Sequence, residues 1–175
     1  MIHIKIPSER VAVLIGVDGS TKRQIEKRSG ATLRIDSASG SVTIDSPNSL
    51  DVMRAGDVVK AIGRGFSPEH ALRLFDDEAL VLDLIDLSDM TQKDMKRVKG
   101  RIIGKNGRTR ELIESLLDVN VSIYGKTVGM IGDITCVQVA RKAIEMLIEG
   151  APHGTVYSYL EKKRREWKGL RGFGL

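Results

Sequence analysis

The chain has 175 residues, which is enough for one ordinary domain or two small ones. Hydrophobic residues make up 41% and charged residues 29%, a balance that is typical of a folded protein and excludes bulk disorder. A single cysteine excludes a disulfide framework and any multi-cysteine zinc site, and no apolar run reaches the roughly 18 residues of a membrane span. Lys and Arg number 28 against 23 Asp and Glu, so the net charge is +5. We therefore expect a cytoplasmic protein with a basic surface and with no bound cofactor or metal.

The first part of the chain predicts three short strands and three helices. Ile2, Ile4 and Ile6 alternate with other residues, which is typical of a strand. Two helical segments follow, separated by a tight turn at residues 16–19, and the second segment ends at Gly30 as a C-terminal cap. Two further strands and a longer helix complete the order β-α-α-β-β-α, and their apolar positions are Leu33, Ile35, Val42 and Ile44 in the strands and Val52, Ala55, Val59 and Ile62 in the helix.

The second part of the chain predicts the same order of elements. Ser67 as a cap and Pro68 in the first turn predict a connecting helix that reaches Phe75. The elements predicted after it are a strand at 81–87, a helix at 92–103, a turn at 104–107, a helix at 108–117, strands around Val121 and Val128, and a closing helix at 134–148. A last helix is predicted at 155–168.

The two parts also form an internal repeat with an offset of 88 residues. Between residues 15 and 35, seven of 21 positions are identical to the residue 88 positions later, several times more than ordinary amino-acid frequencies give by chance. The identical pairs are Ile15/Ile103, Gly16/Gly104, Gly19/Gly107, Thr21/Thr109, Ile25/Ile113, Glu26/Glu114 and Ile35/Ile123. One module is therefore predicted to occur twice.

A helix, a G-x-x-G turn and a second helix inside the order β-α-α-β-β-α resemble the KH domain in its eukaryotic-type topology. The most specific part of the resemblance is the run Ile102-Ile103-Gly104-Lys105-Asn106-Gly107. It implies an α+β fold with two tandem type I KH domains, each β-α-α-β-β-α, plus a C-terminal helix. The implied boundaries are 1–65 for a first KH domain with a degenerate G-x-x-G loop, 66–79 for a connecting helix, 80–150 for a second KH domain with a GKNG loop, and 151–175 for a basic C-terminal helix and tail.

The charge of the chain is concentrated in segments. Residues 95–110 contain seven basic residues and no acid, whereas residues 76–94 contain seven acids and one lysine. The tail from residue 151 onward has six basic residues and two acids. Two concentrated basic patches are typical of a protein with a polyanionic partner.

The turn at residues 104–107, here called loop 2, suits a nucleic-acid backbone. Its glycines let the chain turn sharply and let a phosphate backbone approach without obstruction by side chains. The helix that follows presents free N–H groups and its positive dipole end to that phosphate, and Lys105, Arg108 and Arg110 add formal charge. The resemblance to KH domains implies a clamp on about four nucleotides of single-stranded RNA, with the bases in an aliphatic groove.

The turn at residues 16–19, here called loop 1, differs from loop 2 in charge. It holds Val17 and Asp18 and no basic residue, and we expect the Asp18 carboxylate to repel a phosphate. Lys22 and Arg23, one turn later, offset this repulsion in part. We therefore expect the second module to bind RNA and the first to be structural or protein-binding, with a secondary RNA site only at Gly16, Gly19, Lys22 and Arg23.

The tail offers a further set of candidate residues. The predicted helix carries a basic cluster at Lys162, Lys163, Arg164 and Arg165, and four of the seven aromatic residues lie in this part of the chain, at Tyr157, Tyr159, Trp167 and Phe173. Aromatic and basic residues together suit RNA stacking and phosphate contact. They equally suit docking against the second module, so both interpretations stay open. From Lys168 onward we expect a mobile tail.

Two tandem KH modules, the joining segment from Ala61 to Phe75 and a basic C-terminal helix are together similar to one family, the partner-of-NOB (Pno/Dim type) ribosome assembly factors, which are related to the KRR-type processing factors. The chain has no long N-terminal extension of the eukaryotic kind, so we expect an archaeal member. The resemblance implies a non-catalytic factor that binds single-stranded RNA near the 3′ end of small-subunit pre-ribosomal RNA and positions or restrains the NOB-type endonuclease in the pre-ribosomal particle. The RNA-binding residues it implies are Lys99, Arg101, Ile102, Ile103, Gly104, Lys105, Asn106, Gly107, Arg108 and Arg110.

Two other functions stay open on the sequence alone: a general KH RNA-binding protein, for example in RNA decay, and a protein-interaction scaffold with incidental RNA affinity. An enzyme is not expected. The run from Gly100 to Asn106 superficially resembles a phosphate-binding loop, but it is one residue short between its glycines and Asn106 replaces the magnesium-binding Ser or Thr. Cys136 lies on the apolar face of a predicted helix, and we expect it in the core.

Overall fold

The structure, a computed structural model, describes residues 1–172 of the chain, with side chains up to residue 169. It divides into two compact units, Met1–Leu82 and the segment that begins at Asp83. The two units repeat one arrangement of helices and strands, as the internal repeat predicts.

The first unit packs helices against a three-stranded antiparallel sheet. Its elements are β1 (Ile2–Lys5), α1 (Ser8–Ile15), a 3-10 turn (Val17–Gly19), α2 (Ser20–Ser29), β2 (Thr32–Asp36), β3 (Ser41–Asp45), α3 (Ser49–Gly63), α4 (Pro68–Leu72) and a second 3-10 turn (Arg73–Phe75). The strand order is β1-β3-β2, with Val42 in the central strand opposite Ile4 on one side and Ile35 on the other. The predicted order of elements is confirmed for the first module.

The second unit repeats this order with the sheet β4-β6-β5. Its elements are β4 (Leu80–Asp86), α5 (Gln92–Ile103), a 3-10 turn (Lys105–Gly107), α6 (Arg108–Leu117), β5 (Asn120–Tyr124), β6 (Thr127–Asp133), α7 (Ile134–Glu149) and α8 (His153–Gly172). Strands β5 and β6 pair antiparallel, with Ile123 opposite Val128. The predicted α+β architecture of two β-α-α-β-β-α modules plus a C-terminal helix is confirmed.

The repeated residues have the same structural task in each unit. Ile25 on α2 and Ile113 on α6 are fully buried, and each helix faces its sheet through this position. The repeated glutamates explain how the helix is fixed to the strand: a Glu26 carboxylate oxygen accepts a hydrogen bond from the Leu33 N–H at 3.1 Å, and Glu114 accepts one from the Val121 N–H at the same distance. The repeat therefore encodes a helix–strand connection as well as a loop.

The connecting segment is shorter and more irregular than the predicted helix. Its regular part ends at Leu72 and a 3-10 turn follows to Phe75. The acidic residues Asp76, Asp77 and Glu78 come next, and negative charge is unfavourable at a helix C-terminus because it lies at the negative end of the helix dipole. Asp76 instead pairs with Arg28 of α2 at 2.7 Å.

The C-terminal helix is longer than predicted at both ends. It begins at His153, directly after Pro152, and continues to Gly172. The segment from Lys168, predicted as a mobile tail, is helical up to residue 172; its mobility stays a prediction, and Phe173 lies outside the described residues. Cys136 on α7 is half-buried, so the prediction that it lies in the core is wrong. Within residues 1–172, no helix combines the length and the apolar character that crossing a membrane requires.

We expect Glu114→Ala to lower the free energy of unfolding by about 1–3 kcal/mol, because the half-buried Val121 N–H loses its acceptor. The exposed ion pair between Arg110 and Glu114, at 3.6 Å, adds little to that loss. Urea unfolding of the full chain measures the effect. Glu149→Ala, an exposed glutamate at the end of α7, is the control and should change the free energy by no more than about 0.5 kcal/mol. Equal effects of the two substitutions would contradict this account of the repeated glutamate.

Candidate nucleic-acid interface

The backbone of loop 2 turns sharply between α5 and α6. Gly104 has φ +75° and ψ 174°, a combination that is essentially restricted to glycine. A Cβ built on Gly104 would lie 2.8 Å from the Thr109 backbone nitrogen and 2.7 Å from the Thr109 Cβ, so the loop lies directly against the first turn of α6. Asn106 takes a left-handed conformation at φ 57° and ψ 28°, which asparagine tolerates better than most residues.

The backbone of loop 1 is nearly the same. Gly16 has φ 77° and ψ 176°, Asp18 has φ 54° and ψ 30°, and Gly19 has φ 75° and ψ 15°. Each value lies within a few degrees of its counterpart in loop 2, where Gly107 has φ 75° and ψ 10°. The two loops therefore differ in their side chains and not in the path of the chain.

The side chains leave loop 2 open and cover part of loop 1. A Cβ built on Gly107 would meet nothing within 4 Å, whereas one on Gly19 would lie 3.0 Å from Arg23 Nη1. The Arg23 guanidinium donates to the backbone oxygen of Asp18 at 2.5 Å and so lies over loop 1. The residue at the position of Arg23 in the second unit is Glu111, an exposed side chain on α6. Loop 2 therefore offers a freer approach to a ligand than loop 1.

The N-terminus of α6 has no side chain that caps it. Its N-cap residue is Gly107, which makes no side-chain cap hydrogen bond, whereas α5 begins at Thr91, whose hydroxyl accepts from the Asp94 N–H at 3.1 Å. The first N–H groups of a helix have no partner within the helix and carry its positive dipole end. In loop 2 the Gly107 N–H donates to the Gly104 oxygen and the Arg108 N–H to the Lys105 oxygen, so what α6 presents to an anion is the positive end of its dipole.

The predicted basic residues divide into exposed and engaged side chains. Lys105 and Arg108 are exposed at loop 2 itself. Lys99 donates to the Gly125 oxygen in the β5–β6 turn at 2.8 Å, and Arg110 pairs with Glu114 along α6. The unengaged formal charge at the start of α6 therefore comes from Lys105 and Arg108.

The two isoleucines before loop 2 have different roles. Ile102 is fully buried and supports the loop from the core. Ile103 is 37% exposed and lies four residues after Lys99, on the same face of α5. Because Lys99 reaches across to Gly125, this face borders the β5–β6 turn. The exposed Ile103 gives that border an apolar surface of the kind the predicted aliphatic groove requires.

Arg101 makes contacts that the sequence does not predict. Its Nε donates to the Leu147 oxygen at 3.0 Å and its Nη2 donates to the Ala151 oxygen, which fixes the link between α7 and α8. Its own carbonyl oxygen lies 2.9 Å from His153 Nε2. Because these partners lie 46 to 52 residues away in the chain, no local pattern reveals them.

Helix α8 packs on the second unit through its first half. Val156 and Leu160 are fully buried, and the Tyr157 hydroxyl lies 2.8 Å from Thr109 Oγ1 at the start of α6. Docking, one of the two interpretations of the tail, is therefore confirmed for this half. In the basic cluster, Lys163 lies 3.5 Å from Glu166 and Arg164 donates to the Ser115 oxygen at 3.4 Å, while the exposed members are Lys162 and Arg165.

Known proteins share this arrangement. A family model described as a KH domain matches residues 1–61, and a model of the second KH domain of PNO1, described as a eukaryotic type KH-domain (KH-domain type I), matches residues 81–165. A KH domain-containing protein of Methanocaldococcus jannaschii is 48% identical over 174 residues, which cover 96% of this chain and 76% of that protein. The crystal structure of an a/eIF2alpha–aDim2p–rRNA complex from Pyrococcus horikoshii contains a chain with a TM-score of 0.87 and 47% sequence identity, over 94% of both chains.

The chain belongs to the Dim2/Pno1 family of KH-domain proteins. The resemblance identified from the sequence is thereby confirmed. A eukaryotic member, the pre-rRNA-processing protein PNO1 of Candida albicans, is 30% identical over 112 residues, which cover 62% of this chain and 41% of that protein. Within this chain, the family model of the second PNO1 KH domain matches the unit that carries loop 2.

We expect Gly104→Ala to destabilise the full chain more than Gly107→Ala. Both substitutions place a Cβ at positive φ, which costs about 1–2 kcal/mol in the left-handed region. Only the Gly104 substitution also forces a clash with Thr109. In addition, the ψ of 174° at Gly104 places this residue outside the left-handed helical region that other residues can adopt. Thermal unfolding monitored by circular dichroism measures the difference. A Gly107 variant that is as unstable as the Gly104 variant would contradict this account of loop 2.

Proposed function

We propose that this Dim2/Pno1-type protein is a non-catalytic RNA-binding factor of small ribosomal subunit assembly. In this proposal the second KH unit binds single-stranded pre-ribosomal RNA near the 3′ end and assists 3′-end processing. The observation that carries the proposal is the open, basic loop 2, where Lys105 and Arg108 flank the uncapped N-terminus of α6. The positive dipole end of a helix with adjacent cations forms a site for the phosphates of an RNA strand.

The relatives support ribosomal RNA as the polyanionic partner of this protein. The complex from Pyrococcus horikoshii contains aDim2p together with rRNA, and the protein of Candida albicans is a pre-rRNA-processing protein. The position near the 3′ end and the partnership with a NOB-type endonuclease come from the family resemblance in the sequence. We include both in the proposal because a factor without its own catalytic residues needs a nuclease to complete the processing step.

The first KH unit is proposed as a protein-contact or structural unit. Loop 1 carries Asp18 in the position of Asn106, and Arg23 lies over it. Val17, in the position of Lys105, is 82% exposed, so loop 1 presents an apolar side chain where loop 2 presents a cation. A valine offers no charge to a phosphate, which supports a structural or protein-contact role for the first unit over RNA binding.

The test of the proposal is a substitution that reverses the charge of loop 2 without changing its backbone. In Lys105→Asp/Asn106→Asp the loop becomes Gly-Asp-Asp-Gly. Asp18 already occupies the backbone conformation of Asn106, so the second change is compatible with the fold. We expect the variant to lose at least about tenfold in affinity for a short RNA from the 3′ end of the small-subunit rRNA, because a cation is replaced by two anions at the phosphate site.

The matched control is Val17→Asp, which gives loop 1 the same sequence, Gly-Asp-Asp-Gly. It should change the affinity for RNA by less than about twofold, which corresponds to about 0.4 kcal/mol, because loop 1 is not expected to contact the RNA. A scrambled RNA of equal length tests sequence preference, and circular dichroism verifies that both variants fold. The proposal is wrong if the loop 2 variant binds as tightly as the wild type, or if Val17→Asp causes the larger loss.

The dependence of RNA affinity on salt gives an independent prediction. A clamp that neutralises about four phosphates of a single strand should give a slope of log K against log salt near roughly −3. Lys105→Gln should reduce the steepness by about 0.7, the contribution of one phosphate contact on a single strand. A slope near zero for the wild type would indicate a scaffold with incidental RNA affinity, the alternative that the sequence left open.

A further inference from the structure

A basic pocket lies next to loop 2, on the side of α8. It has a volume of about 520 Å³, within the range of pockets that hold small organic ligands. Its lining residues come from α5, loop 2, α6 and α8, and are Arg97, Gly100, Arg101, Gly104, Lys105, Arg108, Thr109, His153 and Tyr157. Four of these carry a formal positive charge and none is acidic.

This pocket is distinct from the groove beside the β5–β6 turn. Arg97, Gly100, Arg101 and Gly104 follow the spacing i, i+3, i+4, i+7, which places them on one face of α5. Lys99 and Ile103 lie on another face, and Lys99 reaches the β5–β6 turn through Gly125. The pocket and the surface that carries Lys99 and Ile103 therefore lie on different sides of α5.

Several polar side chains that line the pocket are held in place by contacts with other residues of the second unit. The Tyr157 hydroxyl and Thr109 Oγ1 lie 2.8 Å apart at the start of α6, and the ring centroids of His153 and Tyr157 are 6.0 Å apart. Arg101 is fixed by the backbone oxygens it donates to. Nothing lies within 4 Å of a Cβ built on Gly100, so that side of the pocket is open to a ligand.

The cations that face the pocket have capacity to bind an anion. Lys105 and Arg108 are exposed, and both also belong to loop 2. Arg97 lies 4.0 Å from Asp94 in an exposed pair that contributes little energy, so its guanidinium can turn toward a ligand at small cost. Cations around two aromatic rings suit a group that combines a phosphate with a flat base.

We propose that this pocket binds a further nucleotide of the RNA strand, one that lies directly beyond the nucleotides clamped at loop 2. The phosphate lies between Arg97 and Arg108, and the base or ribose lies against Tyr157 and His153. The inference rests on the proposed function, because Lys105 and Gly104 line both sites and a strand that leaves the clamp on this side enters the pocket directly. Helix α8 is thereby part of the RNA site, although the repeated module itself has no such helix.

The test compares two RNA lengths on the full chain. A four-nucleotide RNA fills the clamp alone, and an eight-nucleotide RNA with the same central sequence extends beyond it on both sides. Arg97→Glu reverses the charge that is specific to the pocket, and Arg97→Gln removes it without adding an anion next to Asp94. Lys142→Glu is the matched control, since Lys142 is exposed on α7 and does not line the pocket.

We expect Arg97→Glu to weaken binding of the eight-nucleotide RNA by about fivefold or more, as the loss of one charge-assisted hydrogen bond predicts. Binding of the four-nucleotide RNA should change by less than twofold, and Lys142→Glu should affect neither RNA to that extent. Arg97→Gln should reduce the steepness of the salt dependence by about 0.7 for the longer RNA only.

Three results would overturn the inference, and they differ in what they say about the proposed function. If the wild type binds both RNAs and Arg97→Glu weakens them equally, the pocket is not an RNA subsite and the proposed function stands. If AMP alone binds the wild type, Arg97→Gln abolishes that binding and both RNAs bind as before, the pocket holds a free nucleotide. If the wild type binds neither RNA, the proposed function fails together with the inference.

Discussion

Both units depend on one constraint, the backbone that the G-x-x-G loop takes between its two helices. Gly16 and Gly104 adopt a conformation that is essentially restricted to glycine, and each lies against the threonine five residues later. Thr21 and Thr109 are both buried in the first turn of the following helix. Each loop is thereby fixed to a helix N-terminus that lacks a side-chain cap, and the backbone of the loop is nearly the same in both units.

Function then depends on the side chains placed on a shared backbone. At loop 2 the exposed Lys105 and Arg108 lie at the start of α6, and a Cβ built on Gly107 would meet nothing within 4 Å. At loop 1 the corresponding backbone carries Asp18 and lies under Arg23. Duplicating the module therefore preserves the loop backbone twice, and in our proposal the residues at two loop positions decide which copy binds RNA. The general physical reason is that helix N–H groups attract phosphate weakly unless formal charges of the right sign lie beside them.

The sequence predicts most of the fold and the loop on which the candidate site is built, because these features are encoded locally. The glycines of loop 2 interrupt the helical pattern and so fix the end of α5 and the start of α6. The internal repeat reveals that the arrangement occurs twice. The sequence does not predict the contacts of Arg101, and for Tyr157 it leaves docking and RNA stacking both open. Arg101 looks like one more cation in a basic run, yet its guanidinium holds carbonyl oxygens 46 and 50 residues away. The Tyr157 hydroxyl lies 2.8 Å from Thr109 Oγ1, which only the tertiary structure reveals. Both sets of contacts depend on where α8 docks, which is decided by tertiary packing.

The central claim is that loop 2, and not loop 1, contacts the RNA backbone, and amide chemical shifts test it most directly. A titration of the isotopically labelled full chain with a four-nucleotide single-stranded RNA follows each loop separately in one sample. The account predicts that the largest shifts occur for the N–H groups of residues 104–109, with little change at residues 16–21. Shifts of equal size in the two loops, or shifts confined to loop 1, would contradict it.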